Sequence, residues 1–298
     1  MKKLLVTGAS GFLGYHLLRL CTSKYEVYGL FRHHKVESKN VTALRCDISN
    51  YVEIGNVIED VEPDAVIHAA AISDANFCQQ HQQVSYLTNV EASKNIAGLC
   101  CDWQIPLVFT STDLVFDGKQ GMYTEMDDRN PLNVYGEQKC EAEDAILSIY
   151  PDARIARLPL MYGLPVAGSG NYLQNFVTTL QSRKPVRLFD DEFRSVCGAK
   201  SIVEGLLLYL FYNGAPNILH LAGSQKLSRY EFGTMAAEAF GLDGLLIEKC
   251  SQKDVSMPAP RPADVSLDIS KARLMGYHPL RVAEELNLIA SRNYLQHL

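Results

Sequence analysis

The sequence predicts an α/β protein, a doubly wound parallel sheet joined to a smaller C-terminal lobe that binds substrate. Three observations carry that expectation. Short apolar runs alternate with helical patterns through the first 160 residues. A glycine-rich turn, Gly8-Ala-Ser-Gly11-Phe-Leu-Gly14, separates the first apolar run from the first helical pattern. Beyond Pro159 the composition shifts to Gly/Pro-rich connections and isolated elements. The expected division is a nucleotide-binding domain over 1–160 and a substrate lobe over 161–298, with a stretch near 196–222 returning to the main sheet.

The elements follow in order. Lys3–Thr7 is a buried parallel strand. Phe12, Leu13, Leu17, Leu18 and Leu20 then give one apolar helix face. Between them Gly8 permits a tight turn, Gly11 lets a pyrophosphate approach backbone N–H groups at the helix start, and Gly14 lets the helix lie close to the sheet. A plain glycine turn is the blander alternative. Glu26–Phe31 is the second strand. A dinucleotide fold that takes NAD commonly ends this strand on an acid that holds the ribose. Here Arg32-His-His-Lys35 stands instead, which suits the extra phosphate of NADP, or is a solvated basic loop. Val41–Cys46 is the third strand; Asp47, before Ile48, caps the next helix, meets the adenine, or does both. Tyr51–Glu59 is a helix, and Pro63–His68 runs into the fourth strand. Ala69-Ala-Ala71 leaves room for a cofactor backbone, and His68 reads as a packed strand-end residue. Val84–Trp103 is a long helix whose Asn89 suits a hydrogen bond to a neighbouring loop.

Pro106–Ser111 is the fifth strand and puts Thr112 just past its end, where a doubly wound sheet places its site. Asp152–Arg157 is the sixth strand. After the connection Tyr162–Gly170, helices are expected at Tyr172–Gln181, Ile202–Tyr212, Tyr230–Phe240 (capped by Ser228) and Val282–Tyr294. Short strands are expected at Val186–Leu188 and Ile218–Leu221, and Pro258–Pro262 is an extended loop. Arg194 and Arg261 are candidates to grip an anionic substrate, or are ordinary solvated charges.

Bulk properties narrow the function. The 298 residues carry a net charge of −6, and Lys and Arg are dispersed, so no basic stripe meets a nucleic acid. Leu206–Phe211, the longest strongly apolar run, is far short of a membrane span. The eight cysteines have no metal-ligand spacing and read as free thiols; no metal is expected. Leu4–Thr7 is too short for a signal-peptide core, so the expected location is the cytoplasm.

The chemistry centres on Tyr135-Gly-Glu-Gln-Lys139. On a helix, positions four apart share a face, about 5–6 Å apart at Cβ. A free phenol titrates near pH 10, as a general reference value. A cation beside it is expected to lower that value and make Tyr135 useful in proton transfer at neutral pH. Thr112 is then a candidate donor to the same substrate oxygen.

Thr7-Gly-Ala-Ser-Gly-Phe-Leu-Gly14, Thr112 and Tyr135-x-x-x-Lys139 resemble the extended short-chain dehydrogenase/reductases, which have a Rossmann fold. Ser111–Gly118, Pro131–Gly136 and Arg261–Asp268 resemble the dTDP-4-dehydrorhamnose reductase group within them. The resemblance covers Lys3 to about Leu286, and Leu114 departs from it where those reductases usually carry an aromatic residue. It implies reduction of a nucleotide-linked 4-keto sugar by NADPH, with Thr112, Tyr135 and Lys139 catalytic. The candidate cofactor set is Gly8, Ser10, Gly11, Phe12, Leu13, Gly14, Phe31, Arg32, His33, Asp47, Ile48, Ala69, Ala70, Ala71, Tyr135 and Lys139. Asp113, Arg194 and Arg261 are the candidate substrate residues. A monomer or homodimer is expected. Sugar-nucleotide 4,6-dehydratases place an Asp-Glu pair after the threonine; here Leu114 follows Asp113, which argues against dehydration. The 4-epimerases share the Thr-Tyr-Lys set. The regulatory beta subunit of methionine adenosyltransferase is similar too, and would make the chain an NADP-binding partner protein rather than an enzyme.

Overall fold

The computed structural model describes residues 1–36, 38–164, 166 and 171–291. Its strands are β1 (Lys2–Thr7), β2 (Tyr25–Phe31), β3 (Val41–Arg45), β4 (Ala65–His68), β5 (Leu107–Thr112), β6 (Arg154–Leu158), β7 (Met161–Tyr162), β8 (Val186–Phe189), β9 (Phe193–Arg194), β10 (Cys197–Gly198), β11 (Ile218–His220), β12 (Leu227–Ser228) and β13 (Ile247–Cys250). Seven of them form one sheet in the order β11-β6-β5-β4-β1-β2-β3. Every pairing in it is parallel. This is the doubly wound Rossmann order with β11 added at one edge. The strand order reverses between β1 and β4, and there the crevice opens at the strands' C-terminal ends.

The helices are α1 (Phe12–Cys21), α2 (Tyr51–Val61), α3 (Ala75–Gln80), α4 (Gln82–Tyr86), α5 (Ala92–Asp102), α6 (Val134–Ile149), α7 (Tyr172–Gln181), α8 (Ala199–Phe211), α9 (Arg229–Phe240), α10 (Ser270–Leu274) and α11 (Val282–Ala290). Alternate residues of the buried strands serve opposite faces of the sheet. Leu4, Val6 and Val108 join Leu17, Ile202 and Leu206 on one side. Leu5, Leu107 and Phe109 join Ile58, Ile96 and Ile146 on the other. So α8, although it lies late in the chain, packs with the first domain's core, and β11 extends its sheet. A separate apolar cluster, with Leu173, Phe176, Phe232 and Leu286, fills the lobe built by α7, α9 and α11.

Two expectations change in detail. The long helix over Val84–Trp103 is broken by a π-helical turn at Leu87–Glu91. Such turns recur where a helix must re-aim a side chain. Here it carries Asn89, whose Oδ1 accepts from Ile72 N (2.8 Å) and whose Nδ2 donates to Gln138 Oε1 (2.9 Å). Asp47 is not the cap of α2. Asn50 is, accepting from the N–H groups of Val52 and Glu53, while Asp47 turns back to Ser49 and Arg32. Ser228 caps α9 in a capping box with Glu231. Parts of the expected connection (residues 165 and 167–170) and of the last helix (292–294) lie outside the described residues.

Candidate active site

Gly8 follows β1 at φ +68, a left-handed conformation that an L side chain adopts at a cost. A Cβ there would lie 2.6 Å from Ala70 Cα, so the turn after β1 and the turn after β4 touch backbone to backbone. A Cβ on Gly14 would lie 2.1 Å from Gly8 O, which is why the first turn of α1 needs glycine. Gly11 caps α1 without any side-chain hydrogen bond, leaving the helix N-terminus to an anion. The residues present therefore fit a dinucleotide pyrophosphate at the switch point.

A cleft of about 430 Å³ starts at this turn. Gly8, Gly11, Phe12, Leu13, Gly14, Ala69 and Ala71 line one end. Thr112, Asp113, Leu114 and Tyr135 line the middle, and Asn171, Tyr172, Glu192, Arg194, Arg229 and Arg261 close it from the lobe. The remaining cofactor candidates sit elsewhere. Phe31 and Arg32 lie at the end of β2, beyond the cleft wall, with His33 next in the chain. Arg32 Nη2 is 2.9 Å from Asp47 Oδ2, so the expected phosphate cation and the expected adenine contact form an exposed ion pair. That pair and the Ser49 bonds hold the Asp47 carboxyl below its usual value, against the opposing effect of burial.

Local sequence aims Tyr135 into the cleft. Asn133 caps α6, its Oδ1 accepting from Gly136 N at 3.0 Å and its Nδ2 donating to Pro260 O at 3.1 Å. A Cβ on Gly136 would lie 2.3 Å from Leu114 O, so only glycine lets α6 press against the turn after β5. Thr112 Oγ1 accepts from Leu114 N (3.2 Å) and donates to Asp113 Oδ1 (3.2 Å). The neighbouring Thr112 side chain favours the phenolate. Burial and the Asp113 carboxylate act the other way and win, so the Tyr135 phenol is raised well above its usual value. That corrects the expectation of a lowered phenol. Lys139 does not offset the burial; its Nζ stands over the Phe109 ring, 3.8 Å from the centroid. Burial pushes Lys139 itself down to about 7. His68, the packed strand-end residue, is buried between Thr7 Oγ1 (2.7 Å) and Ser93 Oγ (2.9 Å).

Arg194 is not free to grip an anion. Its Nη1 is 3.0 Å from Asp113 Oδ1 and its Nη2 is 3.2 Å from Glu192 Oε1, all three residues being buried. Arg261 is less committed: its Nη2 donates to Asn76 Oδ1 at 3.3 Å.

Residues 1–293 match the family described as the RmlD substrate binding domain. The chain belongs to this family of extended short-chain dehydrogenase/reductases. It is 31% identical over 271 residues to the probable low-salt glycan biosynthesis reductase Agl14 of Haloferax volcanii, covering 89% of each chain. It is 28% identical to methionine adenosyltransferase 2 subunit beta of Bos taurus, over 92% of this chain and 83% of that one. A hypothetical dTDP-4-dehydrorhamnose reductase from Sulfolobus tokodaii superposes with a TM-score of 0.82 at 29% identity, covering 95% of this chain and 98% of that one. The dTDP-4-dehydrorhamnose reductase of Bacillus anthracis, solved in complex with NADP, shares the fold with a TM-score of 0.87 at 21% identity, covering 98% and 100%.

Several residues of this RmlD-family cleft were not legible beforehand. Glu192 shares Arg194 with Asp113, Arg229 lies over the Tyr172 ring at 3.8 Å, and Asn171 caps α7 at the cleft wall. Asp113 Oδ2 is buried with no hydrogen-bond partner among the described residues. No motif marks Glu192 or Arg229; only a polar residue beside an expected helix start pointed to Asn171.

Proposed function

We propose that the protein is an NADPH-dependent reductase of a nucleotide-linked 4-keto sugar. The observation that carries this reading is the convergence of Thr112 and Tyr135 on one cleft whose other end is the glycine turn, in a chain of the RmlD family. The resemblance to Agl14, named a probable reductase, and to the Sulfolobus protein supports it.

The glycine turn, the N-terminus of α1 and Ala69–Ala71 would hold the dinucleotide, with Arg32 at its 2′-phosphate and Lys139 at the nicotinamide ribose. Bound there, NADPH supplies the hydride. Tyr135, protonated because burial raises it, donates its proton to the carbonyl oxygen as the alkoxide develops. Thr112 Oγ1 turns from Asp113 to donate to the same oxygen, which places a donor where charge forms. Asp113 Oδ2, lacking a partner among the described residues, accepts from a sugar hydroxyl near the reacting carbon. Arg261 and Arg229, the cleft arginines that make no salt bridge among the described residues, face the diphosphate. Residues 1–160 with 196–222 act as the cofactor domain and the rest of 161–298 as the substrate lobe. The protein works in the cytoplasm as a monomer or homodimer, without nucleic acid or membrane. Among the described residues no helix is long and apolar enough to cross one.

Loss of NADPH absorbance across a panel of nucleotide 4-keto sugars, beginning with dTDP-4-dehydrorhamnose, tests the reading. NADPH binding with no turnover on any member would favour the second reading. That reading, a regulatory partner, is supported by the likeness to methionine adenosyltransferase 2 subunit beta.

A further inference from the structure

Lys139 is buried in the core face of α6, 1% exposed, and the reductase reading needs its charge without saying what holds it there. Its Nζ makes no hydrogen bond or salt bridge among the described residues; its one close partner is the face of Phe109, 3.8 Å away. The carboxylate one turn on, Glu143, is already committed. Its Oε1 accepts from Arg157 Nε (3.1 Å) and Ser111 Oγ, and its Oε2 from Arg157 Nη2 (2.8 Å) and Arg129 Nη1 (3.2 Å). That one negative charge favours the Lys139 ammonium from a distance, but it is shared with two guanidiniums and forms no ion pair with Lys139 among the described residues.

The other neighbours supply no counter-charge. From β4, His68 is pushed down to about 3 and stays neutral. From α6 itself Tyr135 is protonated; Asp113, in the turn after β5, and Cys78, in α3, bear on the Tyr135 hydroxyl instead. Asp113 in turn is tied to Arg194. A buried ammonium without an ion-pair partner loses its proton unless something else favours the charged form. The quadrupole of an aromatic face does so, and it acts most strongly on a desolvated cation.

We propose that Phe109 is a positioning residue for Lys139, its ring face serving as the partner that keeps the buried ammonium charged and in place. Phe109 is fully buried at the centre of β5, so the ring is fixed by the sheet before any ligand enters. The same strand thereby carries Thr112 at its end and the seat of the lysine three residues earlier.

The test reads the Lys139 titration directly, so it does not depend on turnover. The full chain carries 13Cε-labelled lysine, and the Lys139 signal is assigned by its loss in Lys139→Met. Phenylalanine at 109 is replaced in turn by its mono-, di- and trifluorinated analogues, which drain the ring face with little change of shape. The Lys139 pKa is expected to fall step by step, by about one unit over the series. Phe109→Leu should give a fall of similar size, Phe109→Tyr almost none, and the alkaline limb of kcat/KM should move to lower pH in parallel. One pKa across the fluorinated series would overturn the proposal, and the near-isosteric analogues decide it even if Phe109→Leu does not fold. A protein that turns over no keto sugar would defeat the reductase reading and leave this titration intact.

Discussion

Arg194→Met isolates the buried cluster that joins the two lobes. The substitution keeps much of the side-chain volume but removes the guanidinium that Asp113 Oδ1 meets at 3.0 Å and Glu192 Oε1 at 3.2 Å. Two buried carboxylates are then left without their cation. Removing one partner of a buried pair costs about 3–5 kcal/mol. At ~2–4 °C per kcal/mol, the melting temperature should fall by roughly 6–20 °C. The sign of the pH dependence follows from Asp113. Burial already raises its folded-state pKa above the unfolded value, and Arg194 opposes that. Without Arg194 the folded state binds a proton more tightly than the unfolded one, so the variant loses stability as pH rises and regains it as pH falls toward the unfolded carboxylate range. Thermal melts from pH 5 to 8 read this directly. Adding Asp113→Asn to Arg194→Met should recover part of the loss, since one uncompensated charge is gone. A melting temperature within about 2 °C of wild type at pH 8, with no recovery in the double variant, would refute the account of the cluster.

Other outcomes follow from the cofactor end and from Lys139. Gly8→Ala forces a Cβ to 2.6 Å from Ala70 Cα at φ +68, and should weaken NADPH binding by calorimetry at least ~10-fold while lowering stability by about 1–2 kcal/mol. Arg32→Ala should cost NADPH about 1.5–3 kcal/mol of binding and leave NADH almost unchanged, because only the former offers the 2′-phosphate; equal losses for both would remove Arg32 from phosphate recognition. Since burial puts Lys139 at about 7 and the charged form is the useful one, kcat/KM should hold below that pH and decline as pH rises through it. A profile flat to pH 9 would mean that Lys139 stays protonated in the working enzyme or that its charge is not needed.

Local pattern made the cofactor turn and the Tyr135–Lys139 pair readable. A strand before and a helix after the glycines gave each glycine a geometric reason, and positions four apart share a helix face whatever the fold. Asn89 was readable as a polar residue in an apolar helix, although the π turn that aims it was not. What escaped depends on contacts between distant segments. Arg194 read as a free cation because Asp113 meets it only where the lobe packs against the sheet, while Glu192, two residues away, carried no pattern that marked it as a partner. The Tyr135 phenol was expected low because spacing sets the lysine nearby but says nothing of how deeply both are buried. Nothing singled out Phe109 within the expected fifth strand; only the packed structure shows a cation on its face.

The central claim is that the Tyr135 hydroxyl passes its proton to the carbonyl oxygen of a bound keto sugar. Tyr135→Phe removes that one oxygen, and single-turnover oxidation of NADPH by dTDP-4-dehydrorhamnose, beside NADPH affinity from fluorescence, measures the consequence. The account predicts a rate about 10²–10⁴-fold lower with cofactor affinity within a few-fold of wild type. A Phe variant that turns over at the wild-type rate would contradict it.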